Sequence, residues 1–156
     1  MVPENIYRGS VKSWGLGKAQ TGTYQFQLVC QFTEAAKDAD ALDEGFVPLE
    51  KPLSKTIFLP ITANTKAGAL ADLQFIGYDR ATLSSASLIP GSPASFDFKN
   101  RPVVAQCQHD NWNGRDREKW RICRRKASAK MAREDISQFD NLFAKDDEEV
   151  SADLPI

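Results

Sequence analysis

The chain has 156 residues, 42% of them hydrophobic, which suits one domain with a modest core and is too little for two large ones. No run approaches the roughly 20 apolar residues of a membrane helix, and Met1-Val2-Pro3-Glu4-Asn5 has neither the basic nor the apolar region of a signal peptide; a soluble, cytoplasmic chain is expected. The net charge of −1 conceals a division: residues 1–113 are near neutral, residues 114–133 carry nine basic groups against Asp116 and Glu118, and residues 134–156 carry one lysine against eight acids, so a +7 segment adjoins a −7 one.

Cys30, Cys107 and Cys123 are odd in number, widely separated and without CxxC spacing, which reads as reduced, buried thiols. His109 is the only histidine, so neither a zinc site nor a cofactor is expected.

The first strand is predicted over residues 6–14, where β-branched and aromatic residues precede the turn formers Gly15-Leu16-Gly17. Over residues 24–32 the alternation is strict. Tyr24, Phe26, Leu28, Cys30 and Phe32 share one face, and Gln25, Gln27, Val29 and Gln31 the other. Residues 34–55, acidic and broken by Pro48 and Pro52, read as a long loop before a third strand at 56–61. Alanine and leucine at helical spacing predict a helix over 65–76, with Asn64 or Thr65 as N-cap and Gly77 as the stop. Residues 84–95, rich in Ser, Pro and Gly, read as another loop. Strand character returns at 96–98 and 101–109, and Asn113-Gly114 signals a tight hairpin whose second arm runs over 117–123.

Strand, strand, strand, helix, strand, strand is the connectivity of the OB-fold, a five-stranded, partly open Greek-key barrel. The fold class expected is therefore mainly β: an OB-like nucleic-acid-binding domain over 1–126, a helix over 127–144 with an incomplete apolar stripe, and an acidic, unpacked partner-binding tail over 145–156.

On a hairpin arm, Arg117, Lys119 and Arg121 share one face, and Glu118, Trp120 and Ile122 the other. A cationic stripe of Arg115, Arg117, Lys119, Arg121, Arg124, Arg125 and Lys126 matches what displaces counterions from a phosphate backbone. Exposed aromatic planes on which bases stack are the second requirement, and Trp112 at the hairpin tip and Trp14 are the candidates, with Tyr7 and Tyr24 behind them. Arg8 and Lys12 widen the stripe if the first strand lies beside it. Trp120 sits on the apolar face and reads as core, and Trp14 reads equally well as a plug at a barrel end. His109 reads as a surface or hydrogen-bonding residue.

The acidic string ends in Asp153, Leu154, Pro155 and Ile156, two apolar side chains behind a run of acids, which suits a basic-rimmed apolar pocket on another protein. This ending resembles the acidic tip of bacterial single-stranded-DNA-binding proteins, with Ile156 standing where that family has phenylalanine. The body is similar to small phage-encoded single-stranded-DNA-binding proteins in Pro3-Glu4-Asn5-Ile6-Tyr7, in Gly15-Leu16-Gly17-Lys18 with Thr21-Gly22-Thr23, and in Trp112-Asn113-Gly114-Arg115. The resemblance implies binding of single-stranded DNA and recruitment of replication, recombination and repair proteins through the tip.

No Walker loop, Gly-x-Ser-x-Gly or paired histidine supports an enzyme. Asp110, Asp116 and Glu118 offer magnesium ligands only if the neighbouring arginines do not pair with them first. The competing expectation is a non-enzymatic adaptor whose barrel binds protein and whose basic stripe balances the tail. Self-association through exposed strand edges is a further expectation.

Overall fold

The structure, a computed structural model, describes residues 1–125. Lys126, the helix expected over 127–144 and the tail with Asp153, Leu154, Pro155 and Ile156 lie outside the described residues.

Five strands form one antiparallel sheet: β1 (Asn5–Lys18), β2 (Tyr24–Ala36), β3 (Phe46–Ile61), β4 (Pro102–Trp112) and β5 (Arg115–Ile122). Their order is β3-β2-β1-β4-β5, so β1 pairs with β2 along most of its length and with β4 near its start. The β1–β2 ladder shifts register twice, between Arg8 and Gly9, where Thr33 of β2 is the extra residue, and between Val11 and Ser13, where Lys12 of β1 is. The expected barrel is not closed, since no ladder joins the edge strands β3 and β5 among the described residues. Each ladder is antiparallel, so β1, β3 and β5 all run the same way and the two edges face each other in parallel.

The predicted third strand begins ten residues too late. β3 starts at Phe46 and carries both Pro48 and Pro52, which an edge strand accommodates because it needs no ladder hydrogen bond on its free side. Pro48 lies opposite Glu34 and Leu53 opposite Phe32, so residues 49–52 bulge against the single Thr33. Only a short link with a 3₁₀ turn, Leu42–Glu44, remains of the expected loop.

Helix α1 (Lys66–Phe75) lies between β3 and β4, as expected, and buries Ala69 and Leu73. Thr65 is its N-cap without a side-chain cap bond; its hydroxyl donates to the Pro60 carbonyl instead. A second turn, α2 (Ser85–Leu88), arises inside the predicted loop, where Ser84 and Ser87 form a capping box. Residues 96–98 are not a strand. Phe96 and Phe98 leave the sheet pattern to fill the core, Phe98 meeting Phe26, Trp14, Tyr78 and Phe96 at centroid distances of 4.8–5.9 Å. Tyr78 fastens this segment, its hydroxyl bonding the Thr82 carbonyl and the buried Ser87 hydroxyl.

The hairpin turn is as the Asn-Gly pair predicts. Trp112 pairs with Arg115, leaving Asn113 and Gly114 at φ of 52° and 76°, the type I′ geometry that fits the twist of adjacent strands. All three cysteines are free and buried, and burial pushes the Cys30 thiol up to about 12. No helix among the described residues is long and apolar enough to cross a membrane.

Gly9 is where β1 and β2 come closest. A Cβ there would meet the Gln31 carbonyl oxygen at 1.9 Å and the Phe32 Cα at 2.6 Å, whereas one on Gly15 would meet nothing within 4 Å. Gly9→Ala is therefore expected to cost about 1–3 kcal/mol or more, and Gly15→Ala no more than about 0.5 kcal/mol. Urea melts of the two variants check this, and equal midpoints would contradict the close approach.

Candidate nucleic-acid interface

The ladder between β4 and β5 is regular from Ala105 paired with Ile122 to Trp112 paired with Arg115. Strand alternation therefore carries through intact: Ile122 is buried and Trp120 and Glu118 are half-buried, while Arg115, Arg117, Lys119 and Arg121 are exposed. Trp120 is the core residue that its face predicts. Its ring stacks on Phe32 at 5.2 Å and 15° and tilts against Tyr7 at 5.3 Å.

Glu118 points inward beside Trp120 and is the most heavily bonded carboxylate of the strand. It accepts from Trp120 Nε1 at 3.0 Å and the Val2 amide at 2.5 Å, and pairs with Lys55 Nζ at 2.9 Å. Burial pushes this carboxyl up, but the three donors together outweigh it and hold the group at about 2. One side chain thus ties the N-terminal segment, β3 and β5 together. His109 Nε2 meets the Val2 carbonyl at 2.6 Å, and the Tyr7 hydroxyl donates to the Pro3 carbonyl at 2.7 Å, pinning the same segment. The possible magnesium cluster does not assemble: Glu118 turns inward, Asp110 pairs with Arg117, and Asn111 donates to Asp116. Among the described residues no three metal-ligating side chains gather.

The cations of the predicted stripe are unequally available. Arg117 forks onto Asp110 with bonds of 2.7 and 3.3 Å, and its guanidinium lies 5.4 Å from the centre of the Trp112 ring. That hydrogen bond lowers the Asp110 carboxyl and raises the Arg117 guanidinium. Arg124 pairs with Asp72 of α1 at 3.0 Å, and Arg125 bonds the Ala39 carbonyl. Among the described residues Arg115, Lys119 and Arg121 have no ion-pair partner.

Arg8 and Lys12 do not widen the stripe, because β4 lies between β1 and β5. Arg8 pairs with Glu34 and covers the Phe46 ring at 4.2 Å. Lys12 reaches Asn100, beyond the start of β4 and at the end of that strand away from Trp112.

Of the aromatic candidates, Trp112 is 58% exposed at the turn. Trp14 turns inward, edge-on to Phe98 at 5.6 Å, with its Nε1 buried and unpartnered among the described residues; the structure favours the plug over the platform. Tyr7 is buried. Tyr24, the first residue of β2, is 57% exposed, with Lys18 Nζ 5.0 Å from its ring centre.

Sequence reading overlooked Phe58. It is 50% exposed on β3, between the buried Ile57 and Leu59. The alternation that marks 56–61 as a strand also places Phe58 on the outer face, and that signal was available. With Thr56 and Pro60 it lines an open cleft of about 660 Å³ between β3 and β5, whose other wall includes Lys119, Trp120 and Arg121 and whose end is bounded by Asp72 and Arg124.

Because Glu118 sits about 2 when folded against an ordinary 4.5, its contribution is complete above the ordinary carboxylate range and is lost as pH falls from 4.5 toward 2. Glu118→Gln is expected to lower stability near neutral pH by about 1–3 kcal/mol and to flatten the acid limb of the stability curve. Melts across that pH range are the check, and an unchanged acid limb would count against the junction.

A scan of the chain against protein-family models finds no match, and a comparison with curated proteins finds no relative.

Proposed function

We propose that the chain binds single-stranded DNA with little sequence preference, protects it, and recruits replication, recombination or repair proteins through its acidic 145–156 segment. The observation that carries this reading is the outward row of Arg117, Lys119 and Arg121 on β5, flanked by the exposed rings of Trp112 and Phe58. Alternate residues of a strand lie about 6.5–7 Å apart, a spacing comparable to that of phosphates along an extended single strand. Cations in such a row displace counterions, and each stacked base contributes about 1–3 kcal/mol whatever its identity.

The topology supports an OB-type interpretation of the sheet. In that interpretation β1 is the shared strand, α1 separates β3 from β4, and the parallel edges of β3 and β5 form the seam of a barrel left ajar.

With Arg117, Lys119 and Arg121 all changed to Ala, affinity for a labelled single strand should fall, and the slope of log K against log salt should become shallower by about 2, at roughly 0.7 per phosphate lost. Fluorescence anisotropy at several salt concentrations measures both. A wild-type chain that binds no single strand at about 50 mM salt would overturn the proposal and favour an adaptor role.

The acidic segment competes for the same cations, because belonging to the same chain gives it an effective concentration on the order of millimolar. Deleting residues 145–156 is expected to tighten DNA binding, most at low salt. Unchanged affinity at every salt concentration would remove the tail from this role.

A further inference from the structure

The cleft between β3 and β5 has features that a row of phosphate-binding cations does not require. Its volume of about 660 Å³ falls within the range of about 300–1,000 Å³ typical of small-molecule sites. It is lined by both apolar and polar groups: Phe58 and Leu59 from β3, the half-buried Trp120 beneath, and Lys119, Arg121 and Arg124 around them. It also holds an acid. Among the described residues lining it, Glu118 turns inward and already accepts from three donors, which leaves Asp72 as the acid with more capacity to spare.

Asp72 is oriented by Arg124, whose Nε lies 3.0 Å from Oδ1. A carboxylate has about four lone-pair sites, so one guanidinium contact leaves room for another donor. Burial pushes the Asp72 carboxyl up against the opposing pull of Arg124 and Arg121, the mark of a carboxylate set back from solvent. Such a group repels a phosphate and accepts an amino group. An acid in a cation-rimmed cleft therefore selects by chemistry which part of a nucleotide turns inward.

We propose that this cleft is a slot for one unstacked nucleobase bearing an exocyclic amino group, with Phe58 as the stacking platform and the Asp72 carboxylate as acceptor of that amino group. The slot rests on the single-strand reading above and adds a local base preference to otherwise indifferent binding. Lys119 and Arg121 hold the flanking phosphates. Cytosine, whose N4 amino group pairs with acidic side chains, suits the slot, and thymine, which has no amino group, does not.

The test is anisotropy titration of the full chain with labelled oligo(dC) and oligo(dT) of equal length at neutral pH. The wild type is expected to prefer oligo(dC) on the order of tenfold. Phe58→Ala should weaken both oligonucleotides by about tenfold, and Phe58→Trp, which keeps an aromatic plane, should restore affinity and show fluorescence quenching on binding. Asp72→Ala removes the acceptor, which an asparagine carbonyl would keep, and frees Arg124 toward phosphate in both complexes, so its readout is the ratio of the two affinities, expected to fall to about one. If the homopolymers bind equally to the wild type, or if Phe58→Ala binds both as tightly as the wild type while the β5 triple variant still loses affinity, the slot is wrong and the phosphate-binding row stands. If the wild type binds neither homopolymer, slot and single-strand reading fall together.

Discussion

The inward-facing Glu118 carboxylate is the constraint around which the open side of the sheet is organised. It sits on an edge strand, bonded to the Trp120 indole that itself packs on Phe32 and Tyr7, with its side chain only 14% exposed. A carboxylate in that setting is costly unless donors reach it, and its three donors come from Val2, Lys55 and Trp120, residues far apart in the chain. Removing any of them leaves charge facing an apolar interior, so the pairing of β5 against β3 is specified more sharply than apolar packing alone would do. Inward-pointing charges on sheet edges also discourage pairing with foreign strands, and here Lys55 and Glu118 supply one to each exposed edge.

What happens on the inner face of β5 determines its outer face. Side chains alternate, so a slip of one residue would exchange Trp120 and Glu118 for Lys119 and Arg121. The type I′ turn at Asn113 and Gly114 sets the register from one end, and the Phe32 to Trp120 stack with the Glu118 junction holds it along the strand. Arg117 is held twice, by Asp110 and against Trp112. It lies against the indole while still facing outward in the row, and Arg115, Lys119 and Arg121 have no ion-pair partner among the described residues. A basic segment that looks uniform in sequence is divided into cations tied into the fold and cations left without an ion-pair partner among the described residues.

The parts of this arrangement that depend on local pattern were legible in the sequence. Strict alternation marked β2, helical spacing marked α1, Asn-Gly marked the turn, and the outward row on β5 followed from its period of two. What depends on distant partners was not. Nothing near Glu118 in the chain points to Lys55, and nothing near Arg124 or Arg125 points to Asp72 or Ala39. Pro48 and Pro52 disguised the first half of β3, because a proline argues against a strand only where the strand is central, and edge position is a property of the whole sheet. Phe96 and Phe98 looked like strand residues because they are apolar and closely spaced, but they serve the core from an irregular segment. Phe58 was legible and was passed over, since one aromatic on the wet face of a short strand attracts little notice until a cleft opens beside it.

The openness of the sheet follows from the same charges. Two ion pairs bracket the seam, Lys55 with Glu118 at one end and Asp72 with Arg124 at the other. Between them β3 offers Thr56, Phe58 and Pro60, and β5 offers Lys119 and Arg121. Proline has no amide hydrogen to donate to a closing ladder, and long cationic side chains on the facing edge favour solvent over burial. Closing the seam would also strip water from Lys119 and Arg121 without giving them partners, a cost that the few ladder bonds gained, at about 1 kcal/mol each, would not offset. The edges are therefore tied directly by Lys55 and Glu118 and indirectly, through α1, by Asp72 and Arg124, yet kept apart between them, which makes the cleft a property of the fold rather than a packing defect.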